Sequence, residues 1–127
     1  MSQTAVQNRE SVTIRAIDLV EYPICPIISD ADKLFLAIQE QFHHGHNVIL
    51  SFEGIDFILP PIFSHAIGPL LLEYSEEEIR SRIQLVDASE DDLYYFDRVF
   101  AHMKRYYQDP EKHDKIFERS LLVFKDF

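Results

Sequence analysis

Residues 47–74, NVILSFEGIDFILPPIFSHAIGPLLLEY, decide how the whole chain is read. Val48-Ile49-Leu50 has the near-continuous apolar character of a central strand. Glu53-Gly54 is a turn pair, and residues 55–58 form a second short apolar segment. A proline pair then opens a helix, with Pro61 standing where a missing N–H does no harm. Ile62, Phe63, Ala66, Ile67, Leu70, Leu71 and Tyr74 recur on one wide helical face. Pro69 interrupts that run. An interior proline costs about 3 kcal/mol, which predicts a bend at Gly68-Pro69 rather than a fresh helix. Strand, loop and helix in this order belong to α/β layering, where ligands and partners are met at the carboxyl ends of strands. The loop at 58–61 holds no hydroxyl, thiol, charge or glycine, so it is suited to contact and not to chemistry.

The flanks extend the same pattern. Residues 1–10 are polar and are expected to fray. Residues 11–20 alternate, with Val12, Ile14 and Ala16 on one side, which predicts a half-buried strand. Residues 22–28 are apolar but contain Pro23 and Pro26, so they form an edge strand or a loop. A helix follows, capped by Ser29 or Asp30, with Asp32 in its first turn and Ala31, Leu34, Phe35, Ile38 and Phe42 on one face. Gly45 supplies its left-handed stop. Ser75 and Glu78 make a capping box, with Tyr74 and Ile79 as a staple across it, for a short helix. Residues 83–86 read as another buried strand. Ser89 caps a final helix whose stripe is Leu93, Phe96, Phe100, Met103 and Tyr107. The expected organisation is one α/β domain over 11–108, with a mixed or parallel sheet of about four to five strands and helices packed on it. A helical tail is expected over 109–127.

Composition narrows the role. The chain has 127 residues, 46% of them apolar, enough for one domain with a real core. Its 12 Lys and Arg are outnumbered by 22 Asp and Glu, for a net charge of -10. That balance opposes nucleic acid and anionic membranes, which both need a basic footprint. The single cysteine, Cys25, excludes an internal disulfide and fits a reducing cytoplasm. No apolar run approaches the length of a membrane span, and the start MSQTAVQNRE has no signal-peptide core.

The order strand, S-F-E-G-I-D-F, loop, apolar helix, strand at 83–86, D-A-S-E-D-D and helix resembles the STAS-like family of domains of unknown function, itself similar in pattern to the STAS domains of anti-sigma-factor antagonists. The resemblance runs over residues 12–107, and its most telling parts are 48–57 and 74–92. It implies a small sheet carrying helices and a regulatory role through protein–protein contact. The implied partner is a histidine-kinase-like ATPase or an anti-sigma factor. In the STAS antagonists the loop before the second helix carries a phosphorylatable serine preceded by an aspartate. Here Leu59, Pro60 and Pro61 occupy that position, and none accepts a phosphoryl group. The aspartate that commonly ends the preceding strand corresponds to Ser51. The resemblance therefore points to a partner-binding surface at Leu59, Pro60, Pro61, Ile62, Phe63 and Ser64 without the phosphoswitch.

Other clusters have plainer roles beside their chemical ones. His43, His44 and His46 hold metal-ligating nitrogens, with His43 and His46 the candidate ligands for a metal-binding or small-molecule sensor. His43 and His44 are adjacent on a helix and point about 100° apart, while a histidine at a helix C-terminus already suits the dipole. Cys25 lacks a neighbouring base and reads as a buried small hydrophobe. Glu76-Glu77-Glu78 and Glu90-Asp91-Asp92 stand in first helical turns, where capping and the dipole account for them. Tyr94, Tyr95, Tyr106 and Tyr107, with Phe63, are candidates for an aromatic contact surface. No phosphate loop, nucleophile elbow or metal motif is present, so no enzyme and no cofactor is expected. The apolar run at 121–124 suggests a homodimer as a further possibility.

Overall fold

Alternation along three short strands builds the sheet. In the computed structural model, which describes residues 9–108, β1 (Ser11–Arg15), β2 (Asn47–Ser51) and β3 (Ile83–Val86) run parallel in the order β1-β2-β3. The register pairs Val12 with Val48 and Val48 with Ile83, then Ile14 with Leu50 and Leu50 with Leu85. Ile14, Val48, Leu50 and Ile83 are buried on this face, whereas Thr13 and Gln84 on the other are exposed and Ile49 is half-buried. A parallel sheet covered on both faces would bury every residue of its central strand. Here β2 alternates, so the sheet presents one face to the core.

The helices supply the other layer. These are α1 (Ile28–His43), α2 (Pro60–Ile67), α3 (Glu76–Arg82) and α4 (Glu90–Gln108). Ala31, Leu34, Ile38 and Phe42 from α1, Ile62, Phe63, Ala66 and Ile67 from α2, and Phe96, Val99, Phe100 and Met103 from α4 share one core with the sheet. Each parallel crossover contains at least one helix, as the topology demands.

Several expectations are corrected. The sheet has three strands among the described residues, not four to five. Of the edge strand or loop expected at 22–28, the structure has a loop over 22–27, because Pro23 and Pro26 lack the N–H groups a ladder needs. β1 stops at Arg15, and a 3-10 turn over Ala16–Asp18 replaces its expected continuation. The chain does not bend at Gly68-Pro69 within one helix; α2 ends at Ile67, and a separate 3-10 segment, Gly68–Leu72, follows. Pro69 withholds the N–H that would have continued the α ladder. α1 starts at Ile28, with Ile27 as its N-cap, so neither Ser29 nor Asp30 caps it from outside. Leu93 is exposed, and Val99 takes its expected place in the stripe of α4. The expected tail at 109–127 and the side chains of Tyr106 and Tyr107 lie outside the described residues.

Other signals carry through. Gly45 has φ +80°, and His46 N–H returns to Gln41 O at 2.9 Å, closing α1. The Ser75 hydroxyl accepts from Glu78 N–H at 3.1 Å at the start of α3.

Candidate functional site

The three strands end side by side, with Arg15 beside Ser51 and Ser51 beside Val86. The segments that follow them, residues 16–27, 52–59 and 87–89, therefore emerge at one edge of the sheet. This is the end at which α/β sheets place their sites. Ser51 is buried here; its hydroxyl donates to Asp87 Oδ2 at 3.1 Å and accepts from Glu53 N–H at 3.3 Å. Phe52 N–H donates to Val86 O at 3.1 Å. Asp87 holds φ +54°, an αL conformation that aspartate tolerates better than most residues. These bonds lock the ends of β2 and β3 together. Ser51 thus has a structural partner at the position where the STAS pattern commonly has an aspartate.

Gly54 has φ +83°, and a Cβ there would stand 2.5 Å from Ile17 Cδ1. Only glycine lets this turn close over the 3-10 segment after β1. Beyond it, Asp56 N–H donates to Pro23 O at 3.2 Å and Phe57 N–H to Ile24 O at 3.0 Å. The apolar segments at 22–27 and 55–59 are thereby held edge to edge without forming a strand pair.

A buried carboxylate fixes the first of these segments. Asp30, on the first turn of α1, is completely buried. Its Oδ1 accepts from Glu21 N–H at 2.9 Å and its Oδ2 from Ile27 N–H at 3.0 Å. Charge-assisted bonds of this kind are among the stronger ones available, and the helix N-terminus favours the negative charge. Helix pattern alone marked Asp30 as a cap; the packing makes it the clamp of a loop.

The structure divides the expected contact residues. Leu59, Pro60 and Ser64 are half-buried and reach the surface. Pro61 is buried, and Ile62 and Phe63 are only 4% and 2% exposed. Phe63 stacks edge-on to Phe52 at 5.7 Å and reaches Tyr95 at 6.4 Å, which in turn meets Tyr94 at 5.9 Å. This aromatic series runs from the core to the surface, where Tyr94 is exposed. At the start of α2, Pro60 and Pro61 contribute no N–H, and Ile62 N–H is bound to Leu59 O at 2.9 Å. The dipole end that commonly receives phosphate therefore presents few donors.

The histidines stand at the opposite end of the sheet, where α1 ends and β2 begins. His43 Nε2 donates to Glu73 Oε2 at 2.8 Å, and His46 Nδ1 donates to Gln41 Oε1 at 2.8 Å. Bonding from His43 and Gln39 holds the Glu73 carboxyl below its ordinary range. No group of three or more His, Cys, Asp or Glu side chains among the described residues is placed to hold a metal ion. Cys25 is half-buried in the loop at 22–27 rather than packed in the core. No described helix is long and apolar enough to cross a membrane.

Reading by pattern missed one residue of this opposite end. Arg82 is 3% exposed and donates through Nη2 to Phe42 O at 3.0 Å and His46 O at 2.8 Å, and through Nη1 to Glu78 Oε2 at 3.1 Å. Its guanidinium lies 4.0 Å above the Phe42 ring and 5.5 Å from that of Tyr74. Burial, and then the charge of Arg9, push its pKa below the ordinary value, while Glu78 opposes the shift. Arg82 closes the carboxyl end of α1 as a capping cation.

No curated protein and no solved structure gives a significant match to this chain. A protein-family model described as a STAS-like domain of unknown function (DUF4325) matches residues 30–93. That match spans α1 to the first turn of α4 and includes β2, the proline loop, α2 and β3. With a parallel three-stranded sheet and four α-helices among its described residues, the chain belongs to this STAS-like family.

Proposed function

We propose that this STAS-like domain is a non-enzymatic regulatory module that binds a protein partner at the carboxyl end of its sheet. The contact includes the loop and helix start at 58–64, through Leu59, Pro60 and Ser64. The observation that carries this reading is the character of that end. It is apolar at the loop, tied down by the Asp30 clamp and by the bonds of Asp56 and Phe57 to Pro23 and Ile24, and restricted by two prolines. Such a surface is ordered before it meets a partner, which lowers the entropy lost on binding. Proline at 60 and 61 leaves no phosphoryl acceptor there, so the contact is constitutive and not switched at that loop. By resemblance to the STAS antagonists, a histidine-kinase-like ATPase or an anti-sigma factor is the partner class to examine first.

The test is co-purification of the full chain with its partners from native cells, comparing wild type with Leu59→Asp and Pro60→Asp. Both positions reach the surface, so the variants are expected to fold with unchanged circular dichroism. Loss of the co-purifying partner in both, with the fold intact, supports the reading. Retention of every partner in both would place the contact elsewhere.

A further inference from the structure

A patch of large apolar side chains lies beside the proline loop. Ile24 and Phe57 are each 67% exposed, Tyr22 is 50% and Ile27 is 46%. They do not belong to a frayed segment. Ile24 O accepts from Phe57 N–H at 3.0 Å, which sets those two residues next to each other. Asp30 holds the amides of Glu21 and Ile27 on either side of Tyr22 and Ile24. The backbone is thus fixed while the side chains stay in water, at a cost of roughly 25 cal/mol for each Å² of apolar surface left exposed. Large apolar side chains left exposed on two bonded segments of fixed backbone mark an interaction site.

The connecting segments at this end of the sheet carry charge of one sign. Residues 16–29, 52–64 and 87–97 contain no Lys or Arg. In the same segments Asp18, Glu21, Glu53, Asp56, Asp87, Glu90 and Asp91 are all exposed. The flanking cations are Arg15, at the end of β1, Lys33, in the second turn of α1, and Arg98, in α4. An apolar centre with an acidic rim complements apolar side chains flanked by basic ones. It also disfavours a second copy of this chain. A two-fold contact through this face would set Glu21, Glu53 and Asp56 against their own images, in a protein of net charge -10.

We infer that the Tyr22-Ile24-Ile27-Phe57 patch receives a partner segment that carries large apolar residues flanked by Lys or Arg. The inference rests on the protein-interaction reading above and adds the chemistry of the partner and the residues that hold it. The apolar centre supplies affinity, and the carboxylate rim supplies association rate and selection against acidic partners.

The probe is a random peptide library displayed on phage and selected against the full chain. Synthetic forms of the enriched peptides are then titrated into three proteins: wild type, Ile24→Ser/Phe57→Ser, and Glu53→Lys/Asp56→Lys. All of the substituted side chains are exposed, and the second pair leaves the apolar patch intact. The expected peptides combine large apolar residues with Lys or Arg. Their affinity falls at least tenfold in each double variant and weakens as salt is raised. Enrichment of peptides with no basic bias overturns the inference, as does binding unchanged by both double variants, or no enrichment at all. Peptides lost with Pro60→Asp but indifferent to Ile24 and Phe57 overturn it while leaving the protein-interaction reading standing. Retention of native partners by Leu59→Asp and Pro60→Asp overturns that reading instead.

Discussion

The two ends of the sheet are built from opposite materials. At the amino end, Arg82 is buried, stacked on Phe42 and bonded to two backbone carbonyls and to Glu78. That end uses charge to hold α1, α3 and the start of β2 together. At the carboxyl end, apolar side chains stand in water and carboxylates crowd around them with no basic residue in the connecting segments. Both ends bury a charged side chain for internal structure, Arg82 at one and Asp30 at the other, but the carboxyl end also leaves large apolar side chains exposed. That asymmetry supports the proposed docking at the carboxyl end.

The comparison breaks most visibly at Arg82. Arg82→Met removes the donors of Phe42 O and His46 O and leaves Glu78 without its cation. Unfolding in urea should show a loss of about 3 kcal/mol. A loss below about 1 kcal/mol would mean that water replaces the guanidinium and that this end is not anchored by it.

Asp30→Ala is next. It frees the amides of Glu21 and Ile27, and the expected cost is about 2 kcal/mol. It also loosens the loop that carries Tyr22 and Ile24, so hydrogen exchange at those amides should accelerate more than in the strands. Exchange that rises uniformly over the chain would show that Asp30 supports the core at large and not the docking face.

The smallest effect is expected at Glu76. This carboxylate lies between Lys104 Nζ at 2.6 Å and Arg80 Nε at 2.7 Å. Hydrogen bonds from Lys104 first and Arg80 second hold its pKa below the ordinary 4.5. Because the folded value is the lower one, its stabilisation is complete above 4.5 and fades as pH falls through the folded pKa. Glu76→Gln should cost less than about 1 kcal/mol at neutral pH, since these groups are largely in solvent. Stability curves of variant and wild type should converge as the pH falls below that of an ordinary carboxyl. A gap that stays constant with pH would assign the loss to packing.

Much of the frame was legible because it depends on local pattern. β2, β3, the proline start of α2, the Ser75 cap and the Gly45 stop follow from periodicity and from residues with narrow backbone roles. The strand count was not legible. Residues 22–27 and 55–59 have strand-like composition, but Pro23 and Pro26 leave the first of them too few N–H groups for a ladder. They pair through two isolated bonds instead. Arg82 was missed because a basic residue in the last turn of an amphipathic helix reads as solvated; only the approach of α1 encloses it. Ile62 and Phe63 were placed on the contact surface because they follow an exposed loop. Both are buried, Phe63 against Phe52 and Tyr95, and the proposed surface takes Leu59, Pro60 and the patch beside them instead. That patch joins two segments far apart in sequence, so no local window contains it.

The most direct test is hydrogen exchange of the full chain, alone and saturated with an enriched basic-apolar peptide. Docking at the carboxyl end predicts slower exchange confined to residues 21–27 and 53–59, with no change at 42–47 or 80–83. Protection centred on Arg82 and the end of α1, or spread evenly over the chain, would contradict it.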